Sequence, residues 1–203
     1  SLSKKKLAKV AYEIERKKLN MDGGWQDQII ASYGGIQRIK INKNGIFKTK
    51  KINISKNKLD KLQSHLLLIF TEETRNSKTI IKQQRENLNT VISKYDFIKS
   101  KVKDMEDAIV NCNIKKIGLI FHDHWKQKRK LTKSISTKTF DIMYSEMMKS
   151  NLFFGGKIIG AGGGGFFLMV SKKPNSSIKF LKKKKYRFTK IKFDNSGCKI
   201  ISS

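Results

Sequence analysis

Hydrophobic positions change period several times along the chain, and each change marks an element. In residues 4–19, Leu7, Val10, Ala11 and Ile14 recur at spacings of three and four, which predicts an amphipathic helix that Asp22-Gly23-Gly24 then breaks. A shorter helix over 25–32 is expected to end at Gly34-Gly35, residues suited to the left-handed backbone of a helix exit. β-Branched runs at 36–41 and 46–54 flank Asn42-Lys43-Asn44-Gly45 and predict a hairpin. Ser55 can cap a helix running to about His65, and the unbroken apolar run 66–70 has the length of a buried strand.

From 77 to 150 the period is helical almost throughout. Its clearest faces are Ile117, Ile120, Phe121, Trp125 and Phe140, Met143, Tyr144, Met147, and three or four helices are expected. The last third changes character: strands at 155–161 and 166–171 around a glycine run, a helix opened by Pro174, then closing strands at 186–193 and 198–201. Strands and helices in mixed order, with hairpins, predict an α+β architecture in which helices cover a mainly antiparallel sheet.

Charge complicates this picture. The 203 residues hold 45 Lys+Arg against 16 Asp+Glu, a net charge of +29, yet a 38% hydrophobic content is too high for a wholly disordered basic tail. Six of the basic residues are arginine (Arg16, Arg38, Arg75, Arg85, Arg129 and Arg187), and the lysines are spread over every segment. Base readers favour the planar arginine fork, so the excess reads as compositional drift and no specific nucleic-acid partner is expected. Salt-sensitive attraction to polyanions, ATP included, follows on Coulombic grounds, and a basic polyanion binder stands as the alternative function. No stretch nears the ~18 apolar residues of a membrane span, so no membrane partner is expected. Two cysteines, Cys112 and Cys198, make no disulfide framework and point to a cytoplasmic setting.

Two constellations carry candidate chemistry. Seven of the 14 glycines fall between 155 and 165. Such a cluster is costly to order, and backbone lacking Cβ atoms can approach phosphate and form an anion nest. Residues 160–165 satisfy G-x-G-x-x-G literally, but a strand follows where a dinucleotide site needs a helix, and no Gly-Lys-Ser/Thr closes a Walker loop. A ligand-free glycine hairpin is the plain alternative. The second constellation is Trp25-Gln26-Asp27-Gln28, where a carboxylate opens a helix between two amides and could accept a proton from a substrate hydroxyl, or simply support the first turn. His122 and His124 lie two apart, about 200° around a helix, and so cannot share one metal ion. Lys157 reads as a solvated or phosphate-facing lysine.

Taken in order, Gly-Gly-Trp-Gln-Asp-Gln with Tyr33-Gly34-Gly35, then Phe70-Thr71-Glu72-Glu73-Thr74-Arg75, Phe121-His122-Asp123-His124-Trp125, and the glycine run 155–165 resemble the GHMP small-molecule kinases, and within them the heptose phosphate kinase branch. The resemblance covers nearly the whole chain. It implies the end of an N-terminal catalytic domain, incomplete, over 1–54, and a ferredoxin-like C-terminal domain over 55–203. The implied reaction is transfer of the ATP γ-phosphate to a sugar hydroxyl, with a sugar phosphate and ATP as partners and Mg²⁺ screening the phosphates. By the same resemblance Asp27 is the catalytic aspartate, and Gln26, Gln28 and Arg75 hold the substrate. Gly160, Ala161, Gly162, Gly163, Gly164 and Gly165 form the phosphate loop, and no metal ligand is assigned. Glu72 stands where the family commonly has glycine.

The family's main Pro-x-x-x-Gly-Leu-Gly-Ser-Ser-type loop does not occur in this sequence. The Mg²⁺ ligands are therefore expected mostly outside the chain, activity alone is expected to be slight, and a separate N-terminal kinase fragment or a homodimer is a possible partner. A decayed kinase serving as an interaction module is the remaining alternative. An unpaired edge or exposed apolar patch is expected near residues 7–40.

Overall fold

The structure is a computed structural model and describes residues 2–73, 77–86, 88–199 and 201. The chain divides into two compact units, Ser1–Asn53 with Lys192–Ser203, and Ile54–Ile191.

In the first unit, α1 (Lys4–Glu13) is capped by the Ser3 side chain and runs directly into a π-helical turn (Ile14–Lys18). Helix α2 (Gln26–Tyr33) ends where Gly34 and Gly35 take φ of 69° and 65°. Strands β1 (Gln37–Ile41) and β2 (Phe47–Lys51) pair antiparallel, with Ile39 opposite Thr49. Two strands cannot hold themselves together in water, so a small core must do it. Ala8, Ile29 and Phe47 are buried at its centre, and Tyr12 stacks on Trp25 with ring centroids 3.6 Å apart and planes 2° from parallel. Ile14, Leu19, Met21 and Ile30 remain exposed.

The second domain was expected to reach residue 203, whereas 192–203 group with the first unit. Gly35 N donates to Asp194 O at 2.7 Å, and Lys4 Nζ donates to Ser196 O at 2.7 Å. Gly34 and Gly197 approach so closely that a Cβ on Gly34 would lie 2.3 Å from Gly197 N. This anchoring also replaces the strand expected at 198–201: Cys198, Lys199 and Ile201 are irregular, and residue 200 lies outside the described set.

The second unit contains α3 (Lys56–Ser64), β3 (Leu66–Phe70), α4 (Ser77–Glu86), α5 (Leu88–Val110), α6 (Ile114–Lys128), α7 (Lys138–Lys149), β4 (Phe153–Ile158), β5 (Phe166–Ser171), α8 (Pro174–Lys183) and β6 (Phe188–Lys190). Its antiparallel sheet has the order β4-β5-β3-β6, with Leu68 opposite Leu168. The expected α+β class, helices over a mainly antiparallel sheet, is what the structure contains.

Helix α6 lies close to β4 because two glycines, Gly118 and Gly155, meet there. A Cβ on Gly118 would sit 2.3 Å from Phe154 Cβ, and one on Gly155 would sit 2.3 Å from Gly118 O. Trp125, Phe140, Met147, Phe153 and Phe167 fill the core beside this contact, each with 1% exposure or less. Trp125 meets Phe167 edge-on at 5.4 Å. Among the described residues, no helix is long and apolar enough to cross a membrane.

Candidate functional site

In the first unit, the segment leading to Asp27 is held by one guanidinium. Widening the end of α1 into a π-turn, a device often found at functional sites, turns Arg16 toward the chain that follows. Its Nη1 donates to Met21 O at 3.2 Å and Asp22 O at 3.0 Å, and its Nη2 to Gly24 O at 3.2 Å. Glu15 completes the arrangement with a 3.2 Å ion pair to Arg16 Nη2. A Cβ on Gly23, where φ is +153°, would lie 2.5 Å from the same nitrogen.

Asp27 follows in the first turn of α2, exposed, at the end where backbone N–H groups favour an anion. Gln26 beside it is also exposed. Gln28, expected to touch substrate, is buried instead, with its Nε2 donating to Glu15 Oε2. Two residues, about 200° around the helix, separate the two amides, and Gln28 lies inward beside the buried Ile29.

The glycine run 160–165 joins β4 to β5 in the second unit. Gly160, Gly162, Gly163 and Gly165 have φ of 74°, 111°, 72° and 92°, a backbone that side chains rarely adopt. The loop is tied down at intervals. Gly163 N donates to Ile135 O at 3.0 Å, Gly165 N to Glu73 O at 3.1 Å, and Thr71 N to Gly165 O at 2.9 Å. Gly162 abuts Ile135, where a Cβ would meet Cγ2 at 2.9 Å. Among the described residues, the N–H groups of Gly160, Ala161, Gly162 and Gly164 have no acceptor.

Glu72 has φ of +58°. It keeps the left-handed backbone that a glycine would adopt freely, at a cost of about 1 kcal/mol. Arg75 lies outside the described residues.

Helix α6 brings Phe121, His124 and Lys128 to the root of this loop, at spacings of three and four that share one face. Lys128 Nζ donates to Gly160 O, and Lys157 Nζ, from β4, lies 5.6 Å from the centre of the Phe121 ring. Burial, reinforced by the charge of Lys157, pushes the Lys128 ammonium down to about 7. Burial also lowers Lys157. Burial first, then the two lysines, push His124 down to about 3, so its ring is neutral, and its buried Nδ1 has no partner. His122 points elsewhere, its Nδ1 2.7 Å from Tyr144 Oη, which also lies 3.3 Å from Gly156 N as its acceptor.

Sequence reasoning passed over Lys128, Arg16 and Glu15. The spacing from Phe121 through His124 to Lys128 was available, but among so many lysines it carried no contrast.

As for the implied Mg²⁺, among the described residues no three His, Cys, Asp or Glu side chains converge. These residues build no metal cage by themselves.

No protein-family profile matches the chain. Its sequence is 28% identical over 162 residues to D-glycero-alpha-D-manno-heptose 7-phosphate kinase of Campylobacter jejuni, covering 79% of this chain and 48% of the relative. It is 27% identical over 168 residues to the bifunctional fucokinase/GDP-fucose pyrophosphorylase of Arabidopsis thaliana, covering 78% of this chain and 15% of that protein. The crystal structure of a D-glycero-D-manno-heptose 1-phosphate kinase from Bacteroides thetaiotaomicron superposes with a TM-score of 0.68 at 23% identity, covering 99% of this chain and 57% of the other.

Fold and sequence relatives alike are those of the GHMP small-molecule kinases, and the superposition takes in both units of this chain. Within that class, the curated Campylobacter relative and the superposed structure are both heptose phosphate kinases. The chain spans about half the length of the Campylobacter relative it matches (48%).

Proposed function

We propose that this chain supplies part of an ATP-dependent sugar phosphate kinase, with a heptose phosphate as acceptor. The observation that carries the reading is the loop 160–165, where the N–H groups of residues 160, 161, 162 and 164 have no acceptor among the described residues and Gly160 and Gly162 hold the positive φ that glycine adopts readily. Such a nest suits phosphate oxygens, and phosphoryl transfer asks chiefly for positioning and charge stabilisation. In this reading the carboxylate of Asp27 takes the proton of the acceptor hydroxyl. The hydroxyl oxygen forms a bond to the γ-phosphorus as the bond to the ADP oxygen breaks, and the electron pair leaves with ADP.

Gln26, exposed next to Asp27, is assigned to the acceptor. Gln28 acts through Glu15 and the π-turn, and Arg75 is assigned to a substrate phosphate on resemblance alone. Residues 1–54 would belong to the catalytic, nucleotide-binding domain and the sheet unit to the C-terminal domain, in a cytoplasmic enzyme. With the Gly/Ser-rich loop absent from these residues, the chain by itself is expected to bind ATP poorly.

The test supplies the N-terminal half of the Campylobacter relative in trans with ATP, Mg²⁺ and D-glycero-D-manno-heptose 7-phosphate. Sugar-dependent ADP release is expected, with a loss of 10²-fold or more in Asp27→Asn, the scale of a general base. No turnover, or an unchanged Asp27→Asn rate, overturns the assignment and leaves a basic scaffold.

A further inference from the structure

We propose that Lys128, Lys157 and His124, at the root of the glycine loop, form a binding site for a phosphate monoester. The inference deepens the kinase reading and rests on it for the source of that phosphate, though not for the site itself.

The cluster is unusual first for what it lacks. Two half-buried lysines stand here, both lowered by burial and Lys128 also by the charge of Lys157, and among the described residues neither forms an ion pair. The carboxylates on neighbouring elements are committed elsewhere: Asp104 of α5 to Lys116 at 3.0 Å, and Asp141 of α7 to Arg129 at 3.2 Å. Burying cations without an opposite charge is costly, and binding an anion would relieve that cost. The close glycine contact of α6 with β4 keeps the lysines there, since it sets the height from which Lys128 reaches Gly160 O.

The remaining donors select the anion. As the Nδ1–H tautomer, His124 offers one N–H that nothing in the protein accepts. The loop adds the N–H groups of Gly160, Ala161 and Gly162, which have no acceptor among the described residues. A carboxylate carries one charge and two acceptor oxygens, leaving one lysine uncompensated. A phosphate monoester carries nearly two charges at neutral pH and three terminal oxygens, which matches two ammonium groups and several N–H donors.

The assay follows the C2–H resonance of His124, one of three histidines, in the 203-residue chain as inorganic phosphate is added at constant ionic strength. A saturable shift is expected. It should weaken at least tenfold in Lys128→Gln and Lys157→Gln and persist in Lys115→Gln, which removes an exposed lysine of the same helix. A drift without saturation, or equal weakening in Lys115→Gln, overturns the site in favour of general attraction to the +29 chain.

Should a Gln variant fail to fold, calorimetry on the unmodified chain decides. The charged or titratable groups facing Lys128 are His124 on its own helix and Lys157 on β4. Binding of mannose 6-phosphate at pH 8 should restore the Lys128 proton, an uptake of about 0.9 proton per site. Saturable binding with no uptake overturns the assignment.

Mannose 6-phosphate and AMPPNP, titrated separately, distinguish an acceptor's phosphate from a nucleotide's. Loss of the site with Asp27-dependent turnover retained removes only this inference. A saturable site without that turnover removes only the kinase reading.

Discussion

Replacing Gly118 by alanine tests the contact on which the second unit's arrangement depends. Helix propensity favours the change by about 1 kcal/mol, since glycine is the costlier residue in mid-helix. Packing opposes it. The new methyl carbon would lie 2.3 Å from Phe154 Cβ, 3.2 Å from the Phe154 carbonyl carbon and 3.2 Å from Val170 Cβ. Unbonded carbons settle at about 3.5–4.0 Å, so α6 and β4 must part locally by more than about 1 Å. Neither a Cβ nor a carbonyl carbon can swing aside as a side-chain tip does. Overpacking of this kind costs roughly 1–3 kcal/mol, and a clash with backbone belongs at the upper end. Less the propensity gain, the net loss is about 2 kcal/mol, or a fall in Tm of about 4–8 °C for a chain of this size. Thermal unfolding by circular dichroism measures it. An unchanged or raised Tm would mean that propensity outweighs packing and would refute the argument that glycine is there to let the helix approach.

Two further outcomes follow from the buried groups. His124 is lowered to about 3 when folded against an ordinary value of about 6.5, and His122 is lowered too, mainly by burial. Folding therefore favours the neutral rings, so this stability is complete above about pH 6.5 and is lost as pH falls from there toward 3. Tm should begin to drop between pH 6.5 and 5, before the carboxylates titrate, as stability falls by no more than about 1 kcal/mol per pH unit given the rings' partial exposure. His124→Gln should flatten that slope, and parallel Tm curves for the two proteins would sink the prediction. Arg16→Leu removes the three carbonyl contacts to residues 21, 22 and 24. Amide exchange at residues 21–27 should quicken at least tenfold, and the fluorescence of Trp25 should shift to the red while the buried Trp125 contribution stays. Unchanged exchange would show that the loop holds its own shape.

The fold was legible where one physical signal dominates. The run 66–70 is too short for a helix and too apolar for a loop, and β3 occupies the same residues. The faces read at Ile117, Ile120, Trp125 and at Phe140, Met143, Met147 are the buried sides of α6 and α7. Tertiary contacts overruled local pattern elsewhere. The helical period through Ile14 gives no warning of a π-turn, because that turn is set by where Arg16 finds acceptors in the next loop. β4 begins at Phe153, ahead of the predicted 155, because Phe153 pairs with Ser171 across a register shift. Tyr186 hydrogen-bonds Glu146 at 2.7 Å instead of extending β6, which is confined to Phe188–Lys190.

The site was harder to read, for a reason the charge makes plain. Glycine is scarce enough that seven in eleven positions demand a cause, and Asp27 stands out in a chain with few acids. Lysine has no such contrast here: Lys128 and Lys157 are spelled like every other lysine, and what separates them is burial with no carboxylate paired to either among the described residues. That property belongs to the packing of α6 on β4, and so to Gly118 and Gly155, whose missing side chains a sequence reader has no means of assigning to the lysines they bring together. If the two cations are built for phosphate, shifting α6 should cost affinity as well as stability. In Gly118→Ala, phosphate should bind more weakly than in the unmodified chain at temperatures where both are fully folded. Equal affinity would separate the lysines' role from the glycine contact, and the free N–H groups of the loop would then have to account for binding without α6.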